Sequence, residues 1–137
     1  MKPLPDPVKQ FLAAAAVCRV ASVRPDGTPH VIPVCPVFDG EETVYVDVAT
    51  KGVAAAGFRR SGRITALFDE YHEDWSKLQA VLLRCRAEEA TGTEQERAWE
   101  MIREKFPQYV TVDWSPRLTL ALRIEGWTQW GIISAPQ

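Results

Sequence analysis

Along this chain the spacing of apolar and polar positions switches repeatedly between helical and strand periods. Pro7 to Ala16 reads as a short opening helix, with Asp6 able to cap it and Pro7 at the first helical position. Cys18 to Val23 is rich in β-branched residues and reads as a strand. Arg24-Pro25-Asp26-Gly27-Thr28 is a turn, because proline presets φ and Asp-Gly tolerates positive φ. His30 to Phe38 is a second strand, Asp39-Gly40 a second tight turn, and Thr43 to Ala49 a third strand. Strands joined by Asp-Gly turns predict an antiparallel meander. Pro33 and Pro36 cannot donate to a ladder, so the second strand is an edge, is bulged or turns a corner. Bulges and barrel rims often lie beside ligand sites.

The second half continues the alternation. Thr50 to Arg60 is a small helix, Arg63 to Asp69 a fourth strand, Tyr71 to Ser76 a polar loop, and Leu78 to Ala87 a fifth strand. Thr93 to Phe106 is helical, with Thr93 as the cap and Ala98, Trp99, Ile102 and Phe106 as the apolar stripe. Pro107 closes it. Pro116 precedes a last strand, Leu118 to Ile124, whose leucines and isoleucine all face one way. The expectation is a mainly β fold of six strands, mostly antiparallel, with two or three short helices. At this strand density a closed or split β-barrel is favoured over an open sheet, because closure removes edges. No repeat or linker interrupts residues 1–137, which read as a single domain.

Composition adds bounds. An apolar share of 46% and a charged share of 25% are ordinary globular usage, so a core can form without staples. A domain of 137 residues has little room to enclose a large cofactor alone, so a sizeable site is expected to be shared with a second copy. Sixteen basic against 18 acidic residues give a net charge of −2, which argues against a nucleic-acid partner. No run approaches the ~18 apolar residues of a membrane helix. Met1 to Pro7 lacks the apolar core of a signal sequence, and Cys18, Cys35 and Cys85 are too far apart for a CxxC site. A cytoplasmic location without membrane contact is expected, with the cysteines serving as small apolar residues.

Charge is uneven along the chain. Lys51, Arg59, Arg60 and Arg63 follow the third strand with no acid between them, and Asp69, Glu70, Glu73 and Asp74 come next. A strand end that feeds a lysine and a helix N-terminus suits a phosphate, to which arginine adds bidentate contacts. The alternative is a solvated basic face paired with the acidic loop. Of the five tryptophans, Trp99 belongs to the helix stripe, while Trp75, Trp127 and Trp130 suit an interface or a stacked ring. His30 opens the proline-bearing strand, and His72 sits among acids. No nucleophile elbow, GxGxxG or P-loop is present. Glu73-Asp74 and Glu88-Glu89 are sequence neighbours and point to opposite faces. No residue is therefore assigned a catalytic role or a metal. Reactive chemistry is expected to belong to a bound cofactor.

Val20 to Val34, running Val-Ala-Ser-Val-Arg-Pro-Asp-Gly-Thr-Pro-His-Val-Ile-Pro-Val, resembles the first hairpin of the pyridoxamine 5′-phosphate oxidase-like family of FMN-binding split barrels. Asp69 to Leu78, Lys105 to Tyr109 and Gly126 to Gly131 are similar to its branch dependent on deazaflavin coenzyme F-420. The resemblance implies a six-stranded antiparallel split β-barrel, a homodimer with cofactor sites between subunits, and FMN or F-420 as cofactor. It implies an oxidoreductase that transfers hydride to a small organic substrate. It places His30, Ile32, Pro33, Val34 and Cys35 against the ring, and Thr50, Lys51, Arg59 and Arg60 at the phosphate. Trp75, Lys77 and Trp130 would close the pocket from the partner subunit. The branch usually has a second lysine shortly after the first, whereas Gly52 and Val53 follow Lys51 here. This departure keeps two alternatives open: a non-enzymatic flavin- or haem-type binding protein on the same barrel, and a structural dimer with an empty cleft.

Overall fold

The computed structural model describes residues 1–111 and 117–131. The chain opens with α1, Asp6–Ala14, which buries Val8 and Leu12. Pro5 occupies the N-cap position and no side chain caps the helix; Asp6 lies in the first turn, where an acid favours the helix dipole. β1, Cys18–Val23, and β2, Pro29–Val34, form a hairpin in full register from Cys18–Val34 to Val23–Pro29. Gly27 takes φ +87° in its turn, and the Asp26 carboxylate accepts the Thr28 amide at 2.9 Å. That hydrogen bond holds the Asp26 carboxyl below the usual range.

β2 is an edge strand, one of the outcomes its prolines predict. The Arg24 amide donates to the Thr28 carbonyl, so the even-numbered residues of β2 exchange hydrogen bonds with β1. Odd-numbered amides point to the free edge. Pro29 and Pro33 remove theirs and leave that of Val31, which blunts the edge against further pairing.

Cys35 and Pro36 then break what the sequence presents as one strand. β3 is the short piece Val37–Phe38, and the strand count becomes seven rather than six. The sheet order is β2-β1-β5-β6-β7-β4-β3, so β2 and β3 lie at opposite ends of it. Two residues reach only about 7 Å. The sheet must therefore curl until its two ends meet at Cys35–Pro36, which is the geometry of a split barrel.

The remaining strands are β4, Thr43–Ala49; β5, Arg63–Glu70; β6, Gln79–Glu89; and β7, Arg117–Gly131, all paired antiparallel. β7 runs beyond the expected end at Ile124 and absorbs Trp127 and Trp130, with a bulge opposite Arg84 and Cys85. α2, Val53–Ser61, starts from Gly52 and ends in Gly62 at φ +67°. α3 spans Gly92–Lys105. Its N-cap is Thr91, not Thr93, and no side chain caps it.

Alternation along β4 and β7 makes two cores. Val44, Val46, Val48, Leu118, Leu120, Leu122 and Ile124 face inward and pack with α1. Tyr45 and Ala121 face outward under Ala98 and Ile102 of α3. Tyr45, Asp47 and Ala49 share that outer face with Arg117, Thr119 and Arg123, and the polar members need partners there. Among the described residues, no helix is long and apolar enough to cross a membrane.

Candidate functional site

The corner that ends β2 borders a cleft of about 620 Å³. Ile32, Pro33, Val34 and Cys35 form one wall, and Val48 and Ala49 of β4 another. Phe106, Gln108 and Tyr109, in the turn after α3, form the third, with Asp47 and Arg117 beneath. Lys105 fastens this third wall: its ammonium donates to the carbonyls of Ala15 at 2.6 Å and Pro36 at 2.9 Å. Burial pulls the Lys105 pKa down. Among described residues, no group of three or more His, Cys, Asp or Glu is arranged to hold a metal.

The polar end of the cleft is unusual. Asp47 is the only charged residue of β4, set between Val46 and Val48. Its Oδ1 accepts the Thr119 hydroxyl at 2.7 Å. Burial raises its pKa against the opposing effects of Thr119 and Arg117. The Arg117 guanidinium stands 4.0 Å over the Trp99 ring and 5.2 Å over that of Tyr109. Burial, with Cys35 and Asp47 adjacent, pushes the Tyr109 phenol up to about 12.

The residues nominated from sequence fall into groups. Ile32, Pro33, Val34 and Cys35 meet in the cleft. His30 is outside it, with Nδ1 3.1 Å from an Arg24 guanidinium nitrogen. Thr50 and Lys51 directly follow cleft-lining Ala49. Arg59 joins them, donating to the Thr50 carbonyl at 2.8 Å. Arg60 turns the other way: it donates to the Val23 carbonyl and lines a separate hollow of about 380 Å³ with Pro25 and Gly57. Trp75 is 73% exposed and Lys77 is exposed beside it in a 3-10 turn. Trp130 is 50% exposed and borders a shallow hollow with Tyr71 and Leu78. These three stand apart from the cleft of their own chain. His72 Nε2 lies 2.8 Å from a Glu70 carboxylate oxygen, a local contact in the acidic loop.

Asp47, Tyr109 and Arg117 were not nominated. The signal for Asp47 is an acid amid Val44, Tyr45, Val46 and Val48. Arg117 offers no such mark, and Tyr109 only ends the Lys105–Tyr109 segment of the resemblance; folding alone sets both beside β4.

The family model described as pyridoxamine 5′-phosphate oxidase matches residues 5–128. The chain belongs to this family. No curated protein matches the sequence significantly. Among solved structures, a protein of unknown function from Agrobacterium tumefaciens superposes with a TM-score of 0.79 at 19% identity, covering 93% of this chain and 57% of its own. A heme-binding protein from Mycobacterium smegmatis gives a TM-score of 0.77 at 16% identity, covering 93% and 55%. A FAD-binding protein from Mesorhizobium loti gives 0.69 at 20% identity, covering 88% of each chain. The chain thus spans a little over half the length of the first two. At these identities the likeness is one of fold, and the members of this fold differ in what they bind.

Proposed function

We propose that the chain is a homodimeric oxidoreductase whose cleft holds the ring of FMN or of coenzyme F-420. The observation that carries this reading is a mostly apolar cleft of about 620 Å³ with Lys51 and Arg59 just past its β4 wall. That volume lies within the range of cofactor sites. Ile32, Pro33, Val34 and Cys35 would lie against the ring, and Thr50, Lys51 and Arg59 would hold the phosphate. Trp75, Lys77 and Trp130 of a second copy would cover the open side. When bound, such a ring supplies the hydride chemistry. This chain's residues bind it, orient it and keep water from it. A small organic molecule is the substrate class, and a cytoplasmic location fits that chemistry.

A haem-type binding protein is the second reading. Cys35 and Tyr109 in the cleft are side-chain types that ligate haem iron, and the Mycobacterium smegmatis structure binds heme.

Titration of the purified protein with FMN, F-420 and hemin, followed by fluorescence and absorbance, decides among these. One FMN or F-420 per chain is expected at micromolar concentrations. Lys51→Ala and Arg59→Ala should each weaken binding roughly tenfold or more, the loss of a charge-assisted contact. Absence of binding by either cofactor at tens of micromolar sinks the proposal. Bound cofactor that no NAD(P)H or other donor reduces points to a carrier.

A further inference from the structure

Two buried polar atoms at the base of the cleft lack a hydrogen-bond partner among the described residues. They are Oδ2 of Asp47 and Nη1 of Arg117. They face each other at 3.7 Å, beyond hydrogen-bond reach. The Asp47 side chain is 2% exposed and that of Arg117 12%. Unmade hydrogen bonds on buried charged groups are costly, so their persistence calls for a cause. Both residues line the cleft.

Together they present an acceptor beside a donor with no net charge. A carboxylate or phosphate would gain Arg117 but meet the repulsion of Asp47. A ring edge that carries a carbonyl next to an N–H satisfies both atoms. Isoalloxazine and deazaflavin rings have such an imide edge, and a porphyrin does not. Admitting that edge breaks no hydrogen bond between the two groups; it loosens their 3.7 Å ion pair and replaces it with a hydrogen bond to each. The Thr119 hydroxyl and the Trp99 ring hold their far sides in place.

We infer that Asp47 and Arg117 read the imide edge of a planar ring, the N–H donating to Asp47 and the carbonyl accepting from Arg117. This rests on the reading of the cleft as a ring site, and it makes the pair a determinant that favours flavin-type ligands over haem. FMN or F-420, whichever the protein retains, is compared by titration with its N3-methyl derivative. Methylation removes the N–H alone, and at least a tenfold loss of affinity is expected. Equal affinity for the two overturns the inference while the ring site stands. In Asp47→Asn, whose neutral amide is the weaker acceptor, the preference for the unmethylated ring should shrink severalfold. Its full persistence there traces the preference to bulk and overturns the inference as well. Retention of neither cofactor overturns the ring site itself, and the inference with it.

Discussion

Arg123 does more than its place on an outer strand face suggests. Its guanidinium grips the Glu94 carboxylate through two contacts of 2.7 and 2.9 Å, while the Tyr45 hydroxyl donates to the same carboxylate at 2.7 Å. This joins the first turn of α3 to β4 and β7. Arg123 beside Glu94 holds that carboxyl below its ordinary value of 4.5. Burial and Glu94 push the Tyr45 phenol up to about 12. A carboxyl with a depressed folded pKa contributes stability above its unfolded pKa and loses it as pH falls through the folded one. Glu94→Gln should therefore lower the thermal midpoint by a few degrees at pH 7. The gap from the parent should narrow as pH drops below about 4.5. Calorimetry from pH 7 to 3 checks this, and a gap that is flat across the range refutes it. None of these partners is legible from spacing: Tyr45, Glu94 and Arg123 meet only once the sheet and α3 have packed.

At the level of elements, local signals worked where the chain punctuates itself. The Asp-Gly turns, the β1–β2 hairpin, β4 and α3 all lie where glycine, proline and alternation place them. Boundaries moved where a tertiary partner intervened, as in β7, whose pairing with β6 carries it to Gly131. The split of β2 from β3 shows the same limit. Pro33 and Pro36 announced an edge or a corner, and the structure makes both: β2 is an edge strand, and Cys35–Pro36 is the corner. The seat of α2 is a further element-scale contact. Gly57 packs so closely on β1 that a Cβ there would stand 2.7 Å from the Ser22 Cβ. Gly57→Ala should destabilise the fold by about 1–3 kcal/mol, because helix and strand must separate to admit the methyl. Urea unfolding measures the loss. A neutral result would show that α2 can shift freely on the sheet.

The molecule as a whole leaves an aromatic surface unaccounted for. Tyr71, Trp75 and Trp130 are all exposed at one end of the β5–β6–β7 region. In the proposed dimer Trp75 and Trp130 would cover the partner's cleft. Aromatic anchors of this kind dominate interface energies. Trp75→Ala and Trp130→Ala are therefore expected to weaken self-association tenfold or more and to reduce cofactor affinity in parallel. Sedimentation across a concentration series reads the first effect. A parent protein that stays monomeric at high micromolar concentration would refute the dimer. By itself the sequence determined where most strands and turns lie and the basic segment after β4, because proline, glycine and alternation act through the local backbone. It also marked the β2 wall of the cleft. Only the tertiary structure decided that two residues bridge opposite ends of the sheet, which forces it to curl. The β4–β7 register sets Asp47 beside Arg117, and the packing of the turn after α3 brings Tyr109 into the same pocket, whereas Arg60 parts from Arg59 simply because helix neighbours face different ways. Contacts between residues as far apart in the chain as Asp47 and Arg117 depend on how strands pair and helices pack, and no local pattern encodes that.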